Sequence, residues 1–240
     1  MLARYRQHHP GSSLASLLFY DLIREFALLL LQVLYRIKRV RVKIVPRTGS
    51  VLLVANHQSC LDPPIVSSAI RHRHTDFLAR GGLFKFKPFG WLISTLHSTP
   101  IRQGAGDSGA MKATIAKMNE GKMMLVFPEG SRTDDGEMHA FQRGIAVLLK
   151  RTDCQVVPVG IEGAFDVWPR SRKFPRLFTK RLVVCFGEPI NSKELMEQGT
   201  DQAIETLRQR VESLVEEAKA IRSGGVPTPT RSSSPMPPQE

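Results

Sequence analysis

From residue 42 onward, short apolar runs alternate with helical stretches, and that alternation limits what the chain can become. Residues 42–45, 51–55, 123–127, 156–161 and 182–186 read as strands, with shorter candidates at Phe77-Leu78 and 99–101. Helical patterns fall between them at 63–70, 89–96, 109–119 and 144–150, and a long polar amphipathic helix closes the series at 200–222. The pattern predicts an α/β fold with a mixed, mostly parallel sheet flanked by helices. With 240 residues, one domain over 41–222 is enough to bury a sizeable core. A helical segment, 1–40, precedes it, and a Pro/Ser-rich tail, 223–240, is predicted to be disordered.

The charge is strongly positive, formally +12. Residues 1–47 hold nine Lys or Arg against only Asp21 and Glu25, so over half of that excess sits beside the most apolar part of the chain. From Leu14 to Tyr35 the sequence reads as a helix whose Asp21, Arg24, Glu25 and Gln32 share one narrow stripe, the rest being Leu, Phe, Ile and Val. Three charges near its middle argue against a membrane span. The cationic tract Arg36, Lys38, Arg39, Arg41 and Lys43 follows. This combination reads as an amphipathic membrane-associating helix drawn to an anionic phospholipid surface, monotopic or a single N-terminal anchor. Packing on its own domain is the alternative. No small-residue cleavage site follows the apolar run, which argues against a signal peptide. No nucleic-acid motif accompanies the basic residues, so nucleic acid is not expected as a partner.

Cys60, Cys154 and Cys185 have neither metal-like spacing nor an even-numbered framework, and suit a reduced, cytosolic setting. His72, His74, His97 and His139 lack a nearby ligand set, so no metal is expected. Phe84, Phe86, Phe89 and Trp91, with Lys85 and Lys87 between them, could touch lipid, line an acyl site or pack in the core.

Two stretches carry chemistry. Asn56-His57-Gln58-Ser59-Cys60-Leu61-Asp62 directly follows the apolar run 51–55, so a strand delivers an imidazole to the edge of a sheet. Imidazole titrates near neutral pH and can take a proton from an alcohol, and a carboxylate on its other nitrogen would fix the tautomer. The same Asp62, placed before Pro63, could equally be the N-cap of a helix. Phe127-Pro128-Glu129-Gly130-Ser131-Arg132 likewise ends a strand. Its glycine permits close backbone approach, Ser131 and turn amides can donate to phosphate oxygens, and Arg132 offers a planar fork. An ordinary turn with a solvated arginine is the plainer reading. Arg102 ends another short strand, and Pro158 in Val157-Pro158-Val159 implies an edge, a bulge or a strand start.

Taken together and in this order, these stretches resemble the glycerophosphate and lysophosphatidic acid acyltransferase family over roughly residues 40–190. Asn56, His57, Ser59 and Asp62 match its N-H-x-S-x-x-D motif, and 127–132 match F-P-E-G-[TS]-R. Ile101 with Arg102, and the Val-Pro-Val at 157–159, match the remaining two, the former more loosely. The resemblance implies a glycerol-3-phosphate acyltransferase-like α/β domain held at the membrane on the cytoplasmic face. It implies acyl transfer from acyl-CoA or acyl carrier protein, as co-substrate without other cofactor, to the sn-2 hydroxyl of a lysophosphatidic acid. His57 would be the general base and Asp62 its orienting carboxylate. Arg102 and Arg132 would bind the acceptor phosphate. Glu129, Gly130 and Ser131 would shape the acceptor pocket, with Glu129 near the glycerol hydroxyls. An acyl-enzyme route through Ser59 or Cys60 needs more parts than direct transfer. The nearest alternative is the same chemistry on glycerol 3-phosphate or another lysolipid; water as acceptor, giving a thioesterase or lipid hydrolase, and a non-catalytic lipid-binding protein are the readings from other classes.

Overall fold

The computed structural model describes residues 13–96, 98–101, 108–178 and 181–225. In chain order the elements are α1 Leu14–Tyr35, β1 Lys38–Val40, β2 Val51–Ala55, α2 Asp62–Ala69, β3 Thr75–Arg80 and α3 Lys87–Thr95. They continue with β4 Ser98–Ile101, α4 Ser108–Asn119, β5 Met123–Val126, α5 Gly144–Arg151, β6 Gln155–Glu162 and α6 Ala164–Val167. The chain closes with β7 Val183–Phe186, β8 Ile190–Asn191, α7 Ser192–Glu197 and α8 Thr200–Arg222. Arg102, His97 and residues 226–240 of the expected tail lie outside the described residues.

One sheet runs in the order β1-β7-β6-β2-β5-β3-β4, with β8 on β6. Its centre is parallel: β6, β2, β5, β3 and β4 all point the same way. β7 and β8 pair antiparallel with β6, and β1, parallel to β7, runs the same way as they do. β2 is buried throughout because both of its faces are covered, and a strand covered on both sides needs an unbroken apolar run rather than an alternation. Val51, Leu53 and Ala55 face the layer that holds Leu31 and Tyr35 of α1 and Ile65, Val66 and Ala69 of α2. Leu52 and Val54 face the layer that holds Met118 of α4, Leu148 and Leu149 of α5, and Leu207, Val211 and Val215 of α8.

Gly160 explains how α8 lies so close to the sheet. A Cβ there would stand 2.5 Å from the Leu214 carbonyl carbon and 2.6 Å from the Val215 nitrogen, so helix backbone rests directly on strand backbone. Gly160→Ala is expected to cost about 3 kcal/mol, lowering Tm by about 6–12 °C. Thermal unfolding followed by circular dichroism checks it, and an unchanged Tm would show that α8 shifts freely.

Three local details depart from expectation. The strand expected at 42–45 lies instead at Lys38–Val40, parallel to β7 and inside the segment assigned to the N-terminal helix. Arg41 causes the shift: its backbone turns into the left-handed region (φ 57°) while Nε donates to the Phe186 carbonyl at 2.9 Å and Nη1 to Glu217 at 2.7 Å. The chain therefore leaves the sheet and makes a 3-10 turn over Val42–Ile44. Pro158 sits in the interior of the sheet, not on an edge. It is tolerated because β8 pairs with β6 at 155–156 and β7 at 159–162, so the missing N–H falls in the gap. Last, β8, α6 and α7 are short elements that the pattern did not predict.

Helix α1 turns its charged stripe inward. Asp21 accepts from Arg24 at 2.9 Å and pairs with His74 Nε2 at 3.0 Å, and Glu25 accepts from Arg71 at 2.9 Å. The Tyr20 hydroxyl donates to the Thr75 carbonyl and accepts the Thr75 N–H, and burial pushes the phenol up to about 12. Leu18, Leu22, Phe26, Leu29 and Val33 are left exposed on the opposite face. Among the described residues no helix is long and apolar enough to cross a membrane.

Candidate active site

Strands β2 and β5 are parallel neighbours with Val54 opposite Val126, so the segments that follow them leave the same edge of the sheet side by side. Loops at the carboxyl edge of parallel strands are where α/β folds gather ligand-binding groups. His57 and 127–132 meet there for that topological reason. Asn56 fixes the exit of β2: its Nδ2 donates to the Ile161 carbonyl at 2.9 Å and its Oδ1 accepts the Ile161 N–H at 2.8 Å.

His57 Nδ1 lies 2.8 Å from Asp62 Oδ2. That same oxygen accepts the Gln58 N–H at 2.6 Å and the Ser59 N–H at 2.7 Å. A carboxylate oxygen already receiving two amide protons is an acceptor towards the ring, so Nδ1 carries the proton and Nε2 is the basic nitrogen. Asp62 is fully buried, and its Oδ1 is enclosed without a hydrogen-bond partner among the described residues. Asp62 is the first residue of α2, not its N-cap: Leu61 holds that position, and the carboxylate turns back to close the preceding turn. The Phe127 ring stacks on the imidazole at 4.0 Å between centroids and 15° between planes, which holds the ring from one face.

Glu129 joins the two stretches. Its Oε1 accepts the His57 N–H at 2.7 Å and its Oε2 the His139 N–H at 3.0 Å, while Thr133 N–H donates to the His57 carbonyl at 2.9 Å. Each Glu129 oxygen thus takes one backbone amide, and the side chain is buried, so it ties the two loops together. Burial pushes its carboxyl above the usual carboxylate range, outweighing the two amides that pull it down. A raised carboxyl makes a stability contribution that is complete below the ordinary glutamate value of 4.5 and is lost as pH rises through the folded value. Relative to Glu129→Gln, the native protein is therefore expected to lose Tm as pH rises from about 4 to about 7. A flat difference between the two melting curves would remove this account.

Gly130 takes φ 75°, and a Cβ there would lie 2.1 Å from Gln142 Nε2, which donates to the Glu129 carbonyl. The exposed Gly130 and half-buried Ser131 and Arg132 follow on the rim. Arg132 Nη1 donates to Cys60 Sγ at 3.0 Å, so the guanidinium stands over the His57–Asp62 turn. Ser59 does not present a nucleophile: its hydroxyl donates to the Trp168 carbonyl at 2.8 Å and accepts the Leu61 N–H at 3.2 Å. Gln58 is a strut that sequence reasoning missed, with Nε2 donating to the Gly136 carbonyl at 3.3 Å and to Glu162 at 3.4 Å. Phe127 and Trp168 were missed too. A strand-ending phenylalanine gives no sign that it will stack on a histidine seventy residues away. Among the described residues no group of three or more His, Cys, Asp or Glu could hold a metal ion.

The 1-acyl-sn-glycerol-3-phosphate acyltransferase of Streptococcus pneumoniae is 27% identical over 192 residues, covering 78% of this chain and 69% of that protein. A chloroplast 1-acyl-sn-glycerol-3-phosphate acyltransferase of Arabidopsis thaliana is 28% identical over 118 residues, 48% of this chain but only 33% of its own length. The crystal structure of the acyltransferase PlsC from Thermotoga maritima superposes with a TM-score of 0.74, covering 91% of this chain and 88% of that one at 24% identity, and so shares the fold. The Acyltransferase family model matches residues 36–162, more than half of the chain and the whole span that carries His57, Asp62 and the 127–132 loop: the chain belongs to the acyltransferase family.

Proposed function

We infer that this protein is a 1-acylglycerol-3-phosphate O-acyltransferase, moving a fatty acyl group from a thioester donor to the sn-2 hydroxyl of lysophosphatidic acid and making phosphatidic acid. The observation that carries the reading is the His57–Asp62 pair, held by Glu129 against a loop that offers Arg132. As the hydroxyl oxygen forms its bond to the thioester carbon, His57 Nε2 takes the hydroxyl proton. The buried Asp62 carboxylate stabilises the imidazolium that results. The thiolate leaves with little need for acid help, and takes up the proton from His57 or from water. Acyl-CoA or acyl carrier protein serves as co-substrate, and the chemistry asks for no other cofactor.

Arg132 and the Ser131 hydroxyl hold the acceptor phosphate beside the base, with Arg102 as a further phosphate ligand. Glu129 positions the two loops. Arg132→Ala is expected to raise KM for the acceptor by about 10- to 100-fold, the worth of a charge-assisted hydrogen-bonded pair, with KM for the donor nearly unchanged. Equal rises in both would assign Arg132 elsewhere.

The apolar outer face of α1 lies in the membrane that supplies the acceptor, on its cytoplasmic face, while the charged stripe grips the domain. One assay tests the activity: purified protein in detergent, labelled acyl-CoA or acyl carrier protein, and a panel of lysolipids with glycerol 3-phosphate. Thiol release that requires a lysophosphatidic acid supports the reading. Release without any acceptor would make the protein a hydrolase, and no release with either donor would leave a lipid-binding protein.

A further inference from the structure

Between α6 and β7 runs a segment, 168–181, whose composition is unlike the rest of the domain surface. Residues 170–181 contain Arg170, Arg172, Lys173, Arg176, Lys180 and Arg181 and no acidic residue. Among these charges stand Phe174, Leu177 and Phe178, exposed by 69%, 55% and 74%. Large apolar side chains that serve the stability of a loop are buried under it; these point away from the domain. Phe178 is also held in the left-handed region (φ 52°), which bulky L side chains seldom adopt. Arg176 is tied inward, with Nη1 donating to the Asp166 carbonyl at 3.0 Å, so the segment has a fixed base beneath its exposed tip.

Its position matters as much as its composition. The segment starts at Trp168, whose carbonyl accepts the Ser59 hydroxyl in the turn between His57 and Asp62. Just beyond it Leu182 donates its N–H to the Tyr35 carbonyl at the end of α1. Trp168 packs on the core layer shared with α1 and α2, so the segment emerges on the α1 side of the sheet. It thus links the rim of the candidate site to the helix whose outer face is apolar.

We propose that the 168–178 segment is a second contact with the lipid surface, Arg172 and Lys173 taking anionic headgroups while Phe174, Leu177 and Phe178 enter the interfacial layer. The proposal rests on the acyltransferase reading only for the purpose of the contact: it presses the rim beside His57 against the bilayer from which the acceptor comes. Aromatic tips flanked by Lys and Arg fit an anionic interface on both counts, since the apolar rings gain by burial and each base is attracted to the surface potential.

The test uses the full chain and two kinds of vesicle, phosphatidylcholine alone and phosphatidylcholine with phosphatidylglycerol. Arg172→Gln/Lys173→Gln is expected to lower partition onto the anionic vesicles by about thirtyfold and to leave partition onto phosphatidylcholine nearly unchanged. Phe174→Ser/Leu177→Ser is expected to lower partition onto both by about tenfold or more. Both variants should keep the wild-type melting curve and the wild-type rate on a short-chain, monomeric lysophosphatidic acid with acyl-CoA. Undiminished partition in both variants would overturn the proposal. So would intact partition with a rate lost only when acyl carrier protein is the donor, which would make the segment a docking surface for that acidic protein. If the wild type turned over no acceptor, the acyltransferase reading would fail while the vesicle result stood by itself.

Discussion

His57→Ala should lower kcat by about 10⁴-fold, with KM for both substrates close to that of the wild type and the fold intact. The imidazole is 19% exposed in its side chain, so the space left by its removal opens to solvent and water can fill it. Its backbone N–H and carbonyl, the groups that hold Glu129 and Thr133, remain in the variant. Loss of rate is therefore separable from loss of structure. The measurement is acceptor-dependent thiol release beside a melting curve. Residual activity within about tenfold of wild type would remove His57 from the role of base.

Asp62 gives the second large effect, and the two substitutions should part company. Asp62→Ala leaves the N–H groups of Gln58 and Ser59 facing a cavity and frees the imidazole, so activity should fall nearly as far as in His57→Ala and stability by about 3 kcal/mol. Asp62→Asn is milder. The two backbone amides admit only an oxygen at the Oδ2 position, so the asparagine carbonyl stays turned towards His57 and keeps Nδ1 protonated. Only the charge that stabilises the imidazolium is lost, together with the enclosure of an amide NH₂ where Oδ1 now lies unpartnered. A loss of about 10²-fold in kcat is expected, not the 10⁴-fold that follows when an asparagine imposes the wrong tautomer. A drop as deep as that of Asp62→Ala would mean that the amide flips despite the two N–H groups.

How much of this was legible beforehand follows from the range of the interactions involved. The fully apolar run at 51–55 announced a strand covered on both faces, and the structure covers it with α2 and α8 on opposite sides. His57, Asp62 and Arg132 were readable because each is a reactive group at the end of a strand or just beyond it. Glu129 was noticed but its role as a tie between the loops was not: nothing local says that its oxygens will meet amides at positions 57 and 139. Arg41 deceived for a similar reason, because its carboxylate partner lies at Glu217, far along the chain. Short elements such as β8 and α6 depend on what they pack against, so their own few residues carry too weak a period to detect.

The inward polar stripe of α1 bears on a problem of bearing, in the compass sense. A helix with apolar side chains around most of its circumference has no preferred azimuth, because one greasy face fits a greasy groove about as well as another. Asp21 with His74, Glu25 with Arg71 and Tyr20 with Thr75 remove that freedom at three successive points. The polar residues thus act as a key cut on one side of a round shaft, setting which apolar side chains face outward. Replacing all three by leucine would leave the helix docked yet free to roll, and its outward face would no longer be the same one in every molecule.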